Sequence, residues 1–364
     1  MNCSSAGILA RRNPRFIDRL ADALCSGGDA AIIIPRSRFL GEGTHIEVIE
    51  RVQRLLERLG YHLPVLSLPG SPAVPATWET CTLNDLNRRG NAVLLEVFNP
   101  HFESDELHNN LKALGFTVFD CTLYTIHPDK LAADILEREQ RSIAMAASLL
   151  SDQDSLDSFN SILMARVTGD RSQIARPSFE EYRHPKVDFD RPGLLVDAGA
   201  FHGSTTKQFL EWSKENHVLA LEPNPGAFAT LNLERERGGP KKDRWLTKCA
   251  GLWSHDKTGK LSGDGLGGRV SSEGEAIDLV SVDSVLGAEQ ISVLKMDIEG
   301  SEFQALMGAQ ETIYRQKPQL IVCLYHLIDD LWRLPLLIQA IRGDYEFYIG
   351  HHGDILYETV LYAV

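Results

Sequence analysis

The residues best suited to chemistry open in the run LLVDAGAFHGSTTKQFL, Leu194–Leu210. Apolar residues lead into Asp197, and the turn Gly199-Ala200-Phe201-His202-Gly203 follows. Glycines at such a turn let backbone approach a ligand closely. The helix opened by Ser204 and Thr205 presents free N–H groups beside it. The next apolar segment, His217–Leu221, ends in Glu222, a carboxylate placed to accept hydrogen bonds from a ribose diol. Strand, glycine turn, helix, strand and acid describe a nucleoside-cofactor site. The spacing narrows the choice. A dinucleotide fingerprint has a middle glycine that makes room for pyrophosphate, and Ala200 and Phe201 crowd that place here. S-adenosylmethionine has no phosphate and needs only close backbone packing and an acid for its ribose, so it is the expected cofactor. Asp197 then orients the turn or meets the amino group of the methionine moiety; a structural strand cap is the alternative.

A second group lies downstream. Asp297 and Glu299 follow the apolar run Ile291–Met296, at the carboxyl end of a central strand, where open α/β sheets place ligands. Alternate strand residues face the same way, which turns both acids toward one cleft if the strand geometry persists. They are candidates to hold a methionine ammonium, orient acceptor hydroxyls or act as base. The alternative is a helix-capping pair ahead of Ser301–Gln316. Methyl transfer is an in-line displacement at a carbon already activated by sulfonium, so the protein's task is alignment and exclusion of water, with a base for an alcohol acceptor. His326, ending the neighbouring strand, is the first candidate base; His351 and His352 are the second. Each also reads as a satisfied structural histidine. Lys295 either neutralises the acids or lies near the surface. Arg269 either contacts an acidic or sugar substrate or is solvated. Adenine is expected near Cys249–Trp253, with Trp253 itself reading as core. Asp297, Glu299, His326 and His351 are metal-ligand types, but their spacing shows no convergence, and no metal is assigned.

These groups need elements to position them. Residues 191–364 alternate strand and helix patterns: Leu194–Ala198, Val218–Leu221, Ile291–Met296 and Gln319–Leu324 as strands, with helices through Phe228 and Leu231, from Phe303 to Ile313, and over Leu331–Ile341. Gly259–Gly268 reads as a polar, glycine-rich loop, and Tyr345–Ile349 with Thr359–Val364 as an antiparallel edge pair. Residues 1–130 show a second alternation, with strands at Ala30–Ile34, Leu63–Leu68, Ala92–Val97 and Phe116–Phe119. Helical spacing runs from Ile46 to Leu59 and through Leu107, Leu111 and Leu114. This predicts a smaller α/β domain with a Rossmann-like, mainly parallel sheet. Its loop Pro35–Gly43 is a poor phosphate cradle, so packing or partner contact is expected of the domain, with binding of a nucleotide-linked substrate as the alternative. Residues 131–190 read as a helical connector capped near Asp152 and made irregular by Pro177, Pro185 and Pro192.

Bulk composition sets the outer bounds. The chain has 364 residues, 43% hydrophobic and 24% charged, enough for two cores. A net charge of −13 argues against nucleic acid or an anionic membrane as partner. No run approaches the roughly 20 apolar residues of a membrane span, and the N-terminus lacks a signal-peptide core. The six scattered cysteines read as thiols of a reducing cytoplasm, not as a zinc site.

Lys295-Met296-Asp297-Ile298-Glu299-Gly300-Ser301-Glu302 resembles the most characteristic signature of the FkbM family of S-adenosylmethionine-dependent methyltransferases. VDAGAFHG resembles its first motif, LEPNP (Leu221–Pro225) its second, and Gln316–His326 its fifth-strand region. Gly350–Ala363 resembles its C-terminal hairpin, and Asp152–Gly169 the helical segment of longer members. Two positions depart: Gly268-Arg269 stands where Ser-Arg is frequent, and Gln153 where an acid is common. The resemblance implies a class I methyltransferase fold over 191–364, a seven-stranded, mostly parallel sheet with an antiparallel last strand. The residues read above as cofactor contacts are Asp197, Gly199, Ala200, Phe201, His202, Gly203, Glu222, Pro223, Asn224 and Asp297, and the catalytic candidates are His326, Asp297, Glu299 and His351. The expected activity is O-methylation of a hydroxyl on a sugar, glycan or secondary metabolite. The expected acceptor is a small molecule or glycan, the expected location the cytoplasm, and a homodimer is possible. The rival readings are a non-catalytic scaffold that kept the cofactor fold and an NAD-dependent oxidoreductase.

Overall fold

The computed structural model describes residues 16–26, 29–33, 44–68, 73–86, 92–97, 105–127, 133–263 and 268–364. The loop Pro35–Gly43 therefore lies outside the described residues, as does part of Gly259–Gly268. The chain divides into two compact units. One comprises Met1–Gln140, Asn160–Ala175 and Gly353–Leu356; the other comprises Arg141–Phe159, Arg176–His352 and Tyr357–Val364. Residues 131–190, read from the sequence as one connector, contribute to both.

The first unit is built on strands β1 (Ala30–Ile33), β2 (Val65–Leu66), β3 (Thr80–Cys81), β4 (Val93–Glu96) and β5 (Thr117–Asp120). They form one sheet in the order β3-β2-β1-β4-β5, with every pairing parallel. Parallel strands are covered on both faces, so β1 and β4 are apolar almost throughout. Helix Thr44–Arg58 buries Ile49, Val52, Leu55 and Leu56, the stripe its 3.6-residue period predicts. Each such side chain contributes about 1.5–3 kcal/mol of burial. Strand β3 is too short to be read from the sequence; helix Phe16–Ser26, whose Phe16, Leu20 and Leu24 recur at helical spacing, is an element the sequence reading did not include.

The second unit holds the longer sheet. Its strands are β6 (Leu194–Ala198), β7 (Val218–Leu221), β8 (Trp245–Lys248), β13 (Ile291–Met296), β14 (Gln319–Cys323), β15 (Phe347–His351) and β16 (Thr359–Ala363). The order is β15-β16-β14-β13-β6-β7-β8. Strands β14, β13, β6, β7 and β8 run parallel, and β16 is antiparallel to both β14 and β15. The α/β fold built on parallel strands agrees with expectation. Strands β6 and β13 lie side by side at the centre, and every residue of β13 is buried. Their carboxyl ends therefore bring Asp197 and Lys295 into register. Asp152 accepts from Ser155 N–H at 2.8 Å, capping helix Gln153–Thr168 as predicted.

Two expectations need correcting. The stretch around Gly259–Gly268 is not simply a loop. Strands β9 (Gly251–Leu252), β10 (Lys257–Ser262), β11 (Arg269–Ser271) and β12 (Glu275–Val280) form a separate sheet, ordered β11-β10-β12-β9. Its core is only Leu261, Ile277 and Leu279, too few apolar residues to announce themselves in the sequence. The helix read from Phe303 to Ile313 is two helices, Glu302–Met307 and Gln310–Gln316. The break falls at Gly308, where any Cβ would collide with the carbonyl oxygen of Trp253. No helix among the described residues is long and apolar enough to cross a membrane.

Candidate functional site

The glycine turn is held by a buried ion pair. Asp197 and Lys295 are fully buried and lie 2.9 Å apart, Oδ1 to Nζ. Asp197 Oδ2 accepts from Thr206 Oγ at 2.6 Å, and Lys295 Nζ donates to the carbonyls of Gly199 at 3.1 Å and Ala198 at 3.3 Å. Burial opposes the lysine's charge, but Asp197 and Asp297 outweigh it and push its pKa up. Lys295 is thus a strut between the turn and β13, not a surface residue. The turn needs its glycines. Gly199 has φ +75°, and a Cβ there would collide with the Asp297 carbonyl oxygen. At Gly203, φ +86°, a Cβ would come within 2.6 Å of the Trp245 ring. Phe201 takes φ +47° and stacks on the exposed His202, centroids 3.7 Å apart.

Glu222, at the end of β7, faces this turn. Its Oε2 accepts from Phe201 N–H at 2.9 Å and its Oε1 from Asn224 N–H at 2.8 Å. Burial raises its pKa against these two bonds. A carboxylate oxygen has a further lone pair in each case, so Glu222 retains acceptor capacity. Asn224 caps helix Pro225–Arg237 by accepting from Ala227 N–H at 2.9 Å. A cleft opens here. One wall carries Gly199, Phe201, Glu222, Pro223 and Asn224; Ala250, Gly251 and Leu252 continue it. Leu261, Gly268 and Val270 of the small sheet line it as well, and Asp297, Ile298, Glu299 and Ser301 close one end. No Lys or Arg is among the described lining residues, which include three acids.

The acids converge through a turn, not through strand alternation. Strand β13 stops at Met296, and Glu299 and Gly300 have φ +54° and +94°. Asp297 is clamped by two phenols: Tyr325 OH donates to Oδ1 at 2.8 Å and Tyr182 OH to Oδ2 at 3.0 Å. Burial works against its charge, yet Lys295, His326 and the two phenols hold its carboxyl below the usual range. His326 is buried behind it. Its Nε2 lies 3.4 Å from Asp297 Oδ1 and 3.6 Å from Glu299 Oε2. Its Nδ1 lies 2.8 Å from Glu302 Oε1, out of line for a hydrogen bond. Burial disfavours the imidazolium, but Glu302, Asp297 and Glu299 outweigh it and raise the pKa of His326. Glu299 is 30% exposed on its side chain, and burial with the Asp297 charge pushes its pKa up.

Residues 197–347 match the family model "Methyltransferase FkbM domain". These residues form an FkbM methyltransferase domain. A crystal structure of methyltransferase FkbM from Methylobacillus flagellatus KT is similar over 99% of this chain and 97% of its own, with a TM-score of 0.72 and 19% identity. That likeness is one of fold. SibL, an S-adenosylmethionine-dependent methyltransferase solved in its apo form, covers 72% of this chain and 84% of its own at 14% identity. Its TM-score is 0.32. No curated protein matches the chain.

Within the FkbM domain, the cleft collects Gly199, Phe201, Glu222, Pro223, Asn224, Asp297 and Glu299. Asp197 lies beneath the turn, bound to Lys295 and Thr206, so it orients the turn and does not reach the cleft. Ala200 is buried in the core, and His202 and Gly203 do not line the cleft. His351 does not border it either: it is fully buried, with Nδ1 2.8 Å from Thr359 Oγ. His352 packs on Phe179 and lies 3.1 Å from Tyr362 OH; burial and His184 lower its pKa to about 4. Sequence reasoning missed Tyr182, Tyr325 and Glu302. Tyr182 is 115 residues from Asp297, so no local signal could join them. Glu302 stood in the signature itself, three residues past Glu299 at the start of a helix, and was open to assignment.

Proposed function

We propose that this domain binds S-adenosylmethionine in the cleft and transfers its methyl group in line to a hydroxyl of a small-molecule or glycan acceptor. The observation that carries the reading is the charge of the cleft. Three acids and no described cation line it. Such a lining suits a ligand with a sulfonium, an ammonium and a ribose diol, and it leaves a dinucleotide pyrophosphate without a counter-charge. The crowding at Ala200 and Phe201, with the Phe201 N–H given to Glu222, points the same way.

Glu222 would hold the ribose hydroxyls, and Asp297, kept ionised between Tyr182 and Tyr325, the methionine ammonium. The apolar residues Leu252, Leu261 and Val270 would flank the adenine and exclude water. The sulfonium of the bound cofactor supplies the activated carbon. The chain supplies alignment and a base. Glu222 and Glu299 both line the cleft with raised pKa values, but Phe201 N–H and Asn224 N–H engage the two oxygens of Glu222, so Glu299 would accept the acceptor's hydroxyl proton on Oε as the C–O bond forms, the methyl–sulfur bond breaks and the thioether leaves. His326, buried and with its pKa raised by Glu302, Asp297 and Glu299, acts from behind the two acids. We further read the seven-stranded sheet as the class I arrangement and the first unit as a Rossmann-like accessory domain.

Calorimetric titration of S-adenosylhomocysteine tests the cofactor assignment. Wild type should bind, and Glu222→Ala should bind at least tenfold more weakly. Absence of binding to wild type, or equal binding of NADH, would overturn it.

A further inference from the structure

The signature's last acid has a position that the cleft chemistry above leaves unexplained. Glu302 is the first residue of helix Glu302–Met307 and has no exposed surface. It closes the turn that carries Glu299, because its Oε1 accepts from Ile298 N–H at 2.9 Å. The same oxygen stands 2.8 Å from Nδ1 of His326. Its Oε2 is buried with no hydrogen-bond partner among the described residues. A buried carboxylate with a free oxygen costs several kcal/mol unless a cation balances it. The imidazole beside it is the group in place to do so.

The other side of that ring shows what the cation does. Nε2 of His326 faces Asp297 Oδ1 at 3.4 Å and Glu299 Oε2 at 3.6 Å, longer than hydrogen bonds. The ring therefore acts on these acids through charge. Asp330 faces it from helix Asp330–Ile341; burial and Glu302 push its pKa up to about 7, so it is largely neutral below that. Lys295 offsets Asp297 but is committed to Asp197 and the turn carbonyls. Arg269 reaches Glu299 only electrostatically from an exposed position on β11.

We propose that Glu302 is a positioning residue that holds the imidazole of His326 as a cation between Asp297 and Glu299, so that both acids stand charged at one end of the cleft. The proposal rests on the reading of Asp297 and Glu299 as working acids. Without Glu302 the imidazole loses the charge that favours its cation, and Asp297 and Glu299 lose the positive charge between them, which shifts Glu299 toward its protonated form. With Glu302 in place the shift runs the other way, toward the carboxylate that can act as base.

The test reads His326 itself and requires no acceptor. Histidine-labelled full-length protein is titrated by NMR from pH 5 to about 9, with His326→Asn assigning the resonance. In wild type, His326 should remain protonated well past the ordinary histidine midpoint of about 6.5. Glu302→Gln keeps an oxygen for Ile298 N–H and should lower the midpoint by at least one unit, a tenfold loss of proton affinity. Glu302→Asp should restore part of it. A wild-type midpoint at or below about 6.5, or one unmoved by Glu302→Gln, overturns the proposal. Cofactor titration of the same samples separates the two readings. A shifted His326 with no binding of S-adenosylhomocysteine would fail the cofactor assignment and leave the charge relation intact.

Discussion

Gly199 and Lys295 are the residues on which the site's geometry most depends. Gly199 sits at φ +75° with the Asp297 carbonyl against its Cα, so Gly199→Ala combines strain with collision. We expect it to cost more than about 3 kcal/mol, read as a lower unfolding midpoint in urea, and to abolish binding of S-adenosylhomocysteine. Lys295→Met would leave Asp197 buried and unpaired, at a cost of about 3–5 kcal/mol. Adding Asp197→Asn should recover part of that loss, because the uncompensated charge goes with it. Two costs that simply add would show that the pair is not the strut described here. At this scale the sequence was partly legible. Glu222, Asp297 and Glu299 could be picked out by type and position at strand ends. The roles of Asp197 and Lys295 could not, since which of two strand-end groups turns inward depends on the neighbour each meets.

At the scale of elements, the small sheet of β9–β12 makes one wall of the cleft. It is a local structure with a small apolar cluster of its own, and Leu261 belongs both to that cluster and to the cleft lining. Leu261→Ala should therefore weaken S-adenosylhomocysteine binding several-fold and raise amide hydrogen exchange in β10–β12. The main unfolding transition, governed by the seven-stranded sheet, should stay nearly in place. A large fall in that transition would mean the small sheet folds with the main core. The helices and long strands were legible because their apolar periods extend over several turns or a whole buried run. This sheet was not, because half its residues are exposed and its glycines resemble a loop; Gly259 packs against Leu279, where a side chain would not fit.

For the whole molecule, the buried titratable groups set how stability varies with pH. Asp297 has a depressed pKa, so its contribution is present above the unfolded value of about 3.9 and is lost as pH falls through its folded value. His326 has a raised pKa, so its contribution is full below about 6.5 and is lost as pH rises through its folded value. Glu181 and Asp330 are pushed up to about 7, chiefly by burial, and disfavour the folded state increasingly as pH rises from about 4 to 7. A net charge of −13 adds self-repulsion on the alkaline side. The melting temperature should thus peak between about pH 4 and 6.5 and decline by a few degrees toward pH 8. A calorimetric Tm that rises steadily to pH 8 would contradict this assignment of buried charges.

The sequence alone determined that the chain is α/β, that a glycine turn follows the strand ending near Asp197, and that acids stand at the ends of two further strands. Those features are local: periodicity, glycine spacing and residue type act within a few residues of one another. Only the tertiary structure decided which groups meet. It drew Tyr182 and Tyr325 onto Asp297, put Glu302 behind His326, buried Lys295 beneath the turn and set His351 in a hairpin away from the cleft lining. Contacts of that kind follow from sheet order and register, which bring residues 28 to 115 positions apart to one carboxylate, and no local pattern encodes them.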